Sequence, residues 1–282
     1  MSLLAQERGS FEWLIIDDGS TDGTTELVRS WQAEGKLRIR YIWQANQGKH
    51  VAHNKAVLAA RGKYFVCIDS DDWMVEGAVS RLMACLDELP AEAAGLVFPR
   101  SQASVKAGGQ EPPWPIPDAE IIDFSDIRMA WGFSGETTIV CDTERLREHP
   151  FPVFSGETYP FEDIAYLGMK GDLRFAAHRE PLVGFAYRDD GLTHAGFAKW
   201  LANPQGALAM LAKRYMVAGK YGASVAIRQR VKAELNRIGL LLALGRPILA
   251  DSPCVPLTVL LALPGAAVSR LRFGSVGGRG TQ

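Results

Sequence analysis

Two short apolar runs each stop at a cluster of carboxylates, and this constrains the fold of the 282-residue chain more than any other feature. The first is Leu14-Ile15-Ile16, followed by Asp17-Asp18-Gly19-Ser20-Thr21-Asp22-Gly23-Thr24. The second is Tyr64-Phe65-Val66-Cys67-Ile68, followed by Asp69-Ser70-Asp71-Asp72-Trp73. A buried strand that ends in a loop explains the apolar runs. It does not explain neighbouring carboxylates, which repel one another and resist burial. At the C-terminal edge of a parallel sheet, where α/β proteins bind ligands, a cation or polar ligand relieves that repulsion.

The surrounding pattern agrees with such a sheet. Strands are expected at 11–16, 38–43, 63–68, 96–100, 137–141 and 181–187. Between them, helical spacing marks 24–34, 49–60, 77–89, 142–148 and 161–173. Residues 101–120 carry Gly108-Gly109 and four prolines and read as an irregular loop. Met1–Gln6 reads as the tail of a helix that begins upstream. From Lys199 onward the chain reads as helical. Alternating strands and helices predict an α/β fold, a mostly parallel sheet flanked by helices, with a helical C-terminal appendage.

Charge divides the chain. Residues 196–282 hold twelve Lys or Arg against Glu234 and Asp251, whereas the whole chain holds 31 basic and 32 acidic residues. The split implies domains at 1–195 and 196–273 with different partners, and a disordered tail over 274–282. Cys67, Cys85, Cys141 and Cys254 form no Cys-x-x-Cys pair, which disfavours a zinc site or disulfide framework and suits a reducing compartment. No secretory signal is visible at the N-terminus, and the expected location is cytoplasmic.

Four segments in order resemble a known family. They are Asp17–Thr24; Asn46-Gln47-Gly48-Lys49-His50 with His53-Asn54-Lys55-Ala56; Ala60-Arg61-Gly62-Lys63-Tyr64; and Asp69-Ser70-Asp71-Asp72. Together they resemble the motifs of family 2 glycosyltransferases, inverting enzymes of the GT-A fold. The likeness is continuous to about Asp72, with weaker echoes to His194. In that family an opening strand precedes the position of Phe11. This chain lacks it, so two exposed strand edges are expected.

The resemblance implies transfer of a sugar from a nucleoside diphosphate, UDP being the leading option, to an acceptor hydroxyl in polysaccharide or glycolipid assembly. The acceptor is a sugar or a lipid-linked sugar. Asp17 and Asp18 resemble the base-binding pair, and a carboxylate accepting a ring N–H favours uracil over cytosine. The plainer reading of this segment is an Asx turn and helix cap. Asp69 is expected at the ribose, and Asp71, with Asp72, at Mn²⁺ or Mg²⁺; Asp72 is equally suited to holding its own loop. The same cluster also fits a plain acidic turn or helix cap.

Lys49, His50 and Asn54 at a helix start are expected to meet the nucleotide sugar, and His53 to be packed or at the surface. Arg188 is expected at the diphosphate. Phe161-Glu162-Asp163 resembles the motif that supplies the catalytic base; Asp163 is the first choice and Glu162 the second, with helix capping as the plainer role. Trp73, Trp131 and Phe133 suit either sugar stacking or core packing.

The basic region 196–273 predicts peripheral contact with anionic lipid at the inner face of the membrane; packing on the acidic domain is the alternative. No nucleic-acid motif accompanies its charge. Two other functions fit less well. A sugar nucleotidyltransferase needs a Gly-rich basic phosphate loop near the N-terminus, which is absent. A non-catalytic nucleotide- or carbohydrate-binding protein is suggested by the missing strand.

Overall fold

The computed structural model describes residues 2–6, 11–102, 112–169, 173–186 and 196–274. The chain forms two compact units, residues 1–151 with 169–187, and residues 152–168 with 188–282. This division differs from a boundary at residue 195. The segment 152–168 belongs with the C-terminal helices, because its carboxylates bind them, as described below.

The first unit begins with a parallel pair. β1 (Trp13–Asp18) runs beside β2 (Ile39–Gln44), with Asp18 opposite Gln44. The connection is helix α1 (Thr24–Glu34), which ends at Gly35 in the left-handed conformation, φ 64°. Trp31 of α1 stacks on Trp13 of β1 at 5.5 Å between ring centroids. Helix α2 (Lys49–Ala59) follows and buries His50, His53 and Val57, one face at helical spacing.

A five-stranded sheet lies beyond. It contains β3 (Tyr64–Val66), β5 (Gly95–Pro99), β7 (Ile121–Asp123), β8 (Thr137–Asp142) and β9 (Arg174–Ala177), in the order β3-β8-β5-β9-β7. A three-stranded sheet, β4-β10-β6, is built from β4 (Trp73–Met74), β6 (Ser101–Gln102) and β10 (Val183–Phe185). Helices α3 (Ala78–Asp87), α4 (Phe124–Met129) and α5 (Thr143–Arg147) complete the unit. Its core is apolar: Leu96, Phe98, Leu182 and Val183 are fully buried.

The α/β class agrees with the sequence, but the pairing is mixed rather than mostly parallel. β5 with β9 and β10 with β6 are parallel, whereas β8 runs antiparallel to both β3 and β5, and β7 to β9. β7 and β8 run in the same direction as each other, joined through α4, and both run opposite to β5 and β9. Among the described residues, β1 pairs only with β2 and β3 only with β8. Residues 2–5 form a 3₁₀ turn, and Gln6 anchors it by donating to the Val75 carbonyl at 2.8 Å.

The second unit is helical: α6 (Glu162–Tyr166), α7 (Ala198–Ala202), α8 (Pro204–Ala218), α9 (Ala223–Ala243), α10 (Val255–Leu260) and α11 (Ala262–Phe273). Its core joins Phe161, Met210, Leu211, Leu240 and Phe273. A buried pair ties α9 to the following turn: Arg237 bonds Glu234 at 2.7 Å and donates to the carbonyls of Ile248 and Ala250. Asp163 and Glu157, in the segment preceding α7, are both bound to α8, which explains why 152–168 joins this unit.

Gly95 sets how closely β5 and β8 approach. A Cβ there would lie 1.9 Å from the Val140 carbonyl oxygen, a backbone atom that cannot swing aside. We expect Gly95→Ala to destabilise the chain by about 3 kcal/mol or more, the upper range for overpacking. Urea unfolding checks this, and a loss below about 1 kcal/mol would show that the sheet accommodates the methyl group.

Candidate functional site

The turn after β1 is built around carboxylates. Gly19 takes φ 83°, and a Cβ there would lie 2.7 Å from the Asn46 backbone nitrogen, so only glycine lets the two loops touch. Asp17 is buried; it accepts from the Ser20 N–H at 2.7 Å and from the Tyr41 hydroxyl. Burial raises its proton affinity, but these donors more than offset that and hold its carboxyl below the usual range. Asp18 reaches across to the next loop. It accepts from Gln44 Nε2 at 2.7 Å, from the Gln47 N–H at 2.9 Å and from the Gly48 N–H at 2.8 Å. Both members of the expected base-binding pair therefore have partners within the protein, and Asp18 fixes the residue immediately before Lys49.

The segment Gln47-Gly48-Lys49 connects the two acidic clusters, its first two N–H groups on Asp18 and its lysine on Asp69. The Lys49 ammonium lies 2.7 Å from Asp69 Oδ1. On the other side stands Arg100, just past the end of β5. Its guanidinium lies 2.6 Å from Asp72 Oδ2 and 3.7 Å from Asp69 Oδ2. The loop itself is closed by the Asp72 N–H donating to the Asp69 carbonyl at 3.0 Å. Asp71 is exposed at this turn. Lys49, Asp69, Asp71, Asp72 and Arg100 thus form one charged group at the ends of three elements, α2, β3 and β5.

Burial separates the roles of these acids. Burial raises the Asp69 carboxyl, but the Lys49 and Arg100 charges outweigh it and the net shift is downward. Asp72 is pushed up to about 6. Burial is the largest cause; the Arg100 charge works against it, and the Asp69 and Asp71 charges work with it. The Arg100–Asp72 pair is well enclosed, with side-chain exposures of 15% and 7%. Removing one partner of so enclosed a pair costs about 3–5 kcal/mol. The Lys49–Asp69 pair is about one-third exposed, so it is less enclosed than the Arg100–Asp72 pair and water weakens it more.

Other expected residues are placed differently. Asn54 spends both ends of its amide on the main chain of Phe151, each bond 2.8 Å, and so joins α2 to the chain after α5. His50 is buried. His53 is a packed residue, edge-on to Phe65 and Phe151; burial, helped by the Lys49 charge, lowers it to about 4. Trp73 covers Gly184, and Phe133 is buried edge-on to Trp114, so both are packing residues. Arg188, with the loop to His194, lies outside the described residues.

In the second unit, Asp163 Oδ2 receives two bonds from Arg214, one from Nε at 2.6 Å and one from Nη2. Glu162, beside it, is exposed. Glu157 caps α8, accepting from the Gln205 and Gly206 N–H groups at 2.6 and 2.8 Å. Sequence reasoning missed Arg100 and the pairing of Arg214 with Asp163. A signal for Arg100 was present: a lone cation directly follows the apolar run Leu96-Val97-Phe98-Pro99, as carboxylates follow the other two runs.

No group of three or more His, Cys, Asp or Glu is arranged to hold a metal by itself among the described residues. With Asp69 and Asp72 bound to cations, Asp71 is the hard oxygen donor most available to an ion, and a single carboxylate suits an ion whose other ligands are phosphate and water.

The raised Asp72 carboxyl makes a pH prediction. Its folded-state value, about 6, lies above the ordinary 3.8, so the native chain holds this proton more tightly than the unfolded chain. The contribution is therefore most favourable below about pH 4 and is lost as pH rises towards about 6. We expect the stability of the native sequence, measured against Asp72→Asn by denaturant unfolding, to fall across that interval. A difference that stays flat, or grows with pH, would contradict the assignment.

Comparisons with known proteins bear on the family and the fold. Residues 1–140 match the family model described as glycosyl transferase family 2. An uncharacterized glycosyltransferase of Escherichia coli K12, YibD, is 41% identical over 71 residues, which are 25% of this chain and 20% of that protein. A putative teichuronic acid biosynthesis glycosyltransferase of Bacillus subtilis 168, TuaG, is 38% identical over 72 residues, 25% of this chain and 28% of its own length. The chain thus matches only 20% to 28% of the length of these relatives. The crystal structure of S. aureus TarS 1–349 in complex with UDP-GlcNAc superposes with a TM-score of 0.58 at 17% identity, covering 96% of this chain and 83% of that one. That likeness concerns the fold. Residues 1–140 thus match glycosyl transferase family 2, and the α/β architecture is of the GT-A kind.

Proposed function

We propose that the chain is an inverting glycosyltransferase that moves a sugar from a nucleoside diphosphate, with UDP the favoured carrier, to an acceptor hydroxyl in cell-envelope polysaccharide or glycolipid assembly. The observation that carries this reading is the Lys49–Asp69–Arg100–Asp72 charge group, with Asp71 exposed beside it, inside the segment that matches the family. Clustered carboxylates held by two cations, with one acid left exposed, suit a ligand that is itself highly charged. The fold neighbour TarS in complex with UDP-GlcNAc is in line with a nucleotide-sugar ligand.

The residues divide the work as follows. Arg100 holds Asp72, and through it the loop that presents Asp71. Asp69, drawn into its ionised form, is suited to accept from the ribose hydroxyls. Lys49, on a pair about one-third exposed, turns from Asp69 towards the diphosphate as it arrives. Asp17 and Asp18 shape the base pocket, and Asp18 retains acceptor capacity for a uracil N–H. Asn54 serves by fixing α2. A divalent ion, Mn²⁺ or Mg²⁺, bound at Asp71 would neutralise charge on the departing diphosphate. Asp163 is assigned the proton acceptor for the attacking hydroxyl, with Glu162 as the alternative. Residues 196–273 make a peripheral contact with the cytoplasmic face of a membrane; among the described residues, no helix is long and apolar enough to cross one.

A second reading, nucleotide-sugar binding without turnover, draws support from the separation of the β1–β2 pair from the five-stranded sheet. Radiolabelled UDP-sugars, assayed for transfer or hydrolysis, decide between the two: the first reading expects turnover and the second expects saturable binding alone.

Two substitutions test the assignments. Asp71→Asn should reduce Mn²⁺-dependent UDP affinity at least about tenfold by calorimetric titration, about 1.4 kcal/mol, while melting temperature is unchanged because the side chain is exposed. Unchanged metal-dependent affinity would remove Asp71 from the site. Asp163→Asn should leave UDP affinity intact and lower turnover about 10²-fold or more, the scale of general-base contributions. If only Glu162→Gln lowers turnover, the role belongs to Glu162.

A further inference from the structure

Helices α10 and α11 present their apolar residues outward. Their inner face meets α9 through small groups. A Cβ on Gly265 would lie 2.3 Å from Ile238 Cγ2, and one on Gly239 would lie 2.9 Å from Val268 Cγ1. Thr258, fully buried, bonds Glu234 and the Cys254 carbonyl. The outer face carries Val255 (51% exposed), Val259 (60%), Leu260 (75%), Leu263 (85%) and Leu271 (83%). Residues 255 and 259 are four apart, and 263 and 271 are eight apart, so each helix shows these side chains on one face. A single exposed leucine is ordinary, but five large apolar residues on two consecutive helices form a patch that calls for an occupant.

Charge identifies that occupant. Residues 252–282 contain no Asp or Glu. Arg270 is exposed on the same outer face as Leu263 and Leu271. Arg272 is turned inward, bonded to Asn236 and stacked over Phe197. Of the two acids in residues 196–282, Glu234 is buried against Arg237, which leaves Asp251. An apolar face with exposed Arg270 on it, and no acid in α10 or α11, complements an anionic lipid surface. A second copy fits poorly, because a two-fold contact through this face would oppose the same positive charges. Length agrees as well. At twelve residues α11 is about 18 Å long, too short to span a bilayer but suited to lying along one.

We infer that the outer face of α10 and α11 lies in the surface of an anionic bilayer, with Val259, Leu260, Leu263 and Leu271 among the upper acyl chains and Arg270 at the phosphates. This deepens the peripheral-contact reading above by naming the face, and it does not depend on the donor chemistry.

Vesicle flotation of the intact chain tests it, using phosphatidylglycerol vesicles, phosphatidylcholine vesicles, and the variants Leu263→Ser/Leu271→Ser and Arg270→Gln. The native chain should float with phosphatidylglycerol and at least about tenfold less with phosphatidylcholine. The double serine variant should lose about tenfold or more of its binding with an unchanged melting temperature, since both side chains are exposed. Arg270→Gln should weaken binding to phosphatidylglycerol and reduce its salt sensitivity. UDP affinity, measured in parallel, should be the same in all variants, so that failure of this inference is separable from failure of the donor assignment. Absence of flotation with phosphatidylglycerol at low salt, or flotation of the serine variant at the native level, would overturn the inference. So would self-association in sedimentation velocity that the serine variant abolishes, which would assign the face to a second copy.

Discussion

The enclosed ion pair between Arg100 and Asp72 is the constraint on which the first unit's chemistry depends. Three aspartates within four residues repel one another, and burial adds a desolvation cost to two of them. A turn of this kind is stable only if cations are brought to it. Arg100 arrives from the end of β5 and Lys49 from the start of α2. The strand ends and the helix start must therefore converge, and Trp73 and Ser101, next to Asp72 and Arg100, both lie opposite Gly184 of β10. Asp18 continues the chain of contacts by holding Gly48, next to Lys49.

The two cations are held differently, and the difference has consequences. Arg100 is enclosed and bonded at 2.6 Å, so it behaves as part of the fold. Lys49 pairs with Asp69 at the surface, where water weakens the attraction. Arg100 is the more enclosed of the two cations and Lys49 the more exposed, and the proposed handling of a diphosphate rests on that difference. In the second unit Arg214 on Asp163 repeats the pattern of an arginine fixing a carboxylate by its Oδ2 oxygen.

Much of this was legible in the residues. Strands at 11–16 and 63–68, the helices at 24–34 and 49–60, and the acidic loops follow from apolar runs that end in carboxylates, and the structure has all of them within a few residues. Antiparallel β7 and β8 were not legible, since a strand's direction is set by which neighbour it meets and leaves no mark in its own alternation. Asn54 illustrates another limit. Its amide looks equally suited to a ligand or to a main chain, and the partner, Phe151, is 97 residues away. Arg100 was visible as a cation after an apolar run, but its value depends on Asp72, 28 residues earlier. Such pairings are properties of topology and packing. The outward leucines of α10 and α11 belong to the same class, because a short apolar helix does not announce in its sequence which side meets α9.

The central claim is that Asp71 and its charge-balanced neighbours form a metal–diphosphate site beside a base pocket at Asp17 and Asp18. Crystals soaked with Mn²⁺ and UDP test it most directly, through the anomalous signal of the metal. The account predicts one Mn²⁺ peak within coordinating distance of Asp71, Arg100 still on Asp72, Lys49 displaced from Asp69 onto phosphate, and the uracil beside Asp18. A Mn²⁺ peak away from residues 69–72, or UDP bound elsewhere with the Lys49–Asp69 pair intact, would contradict it.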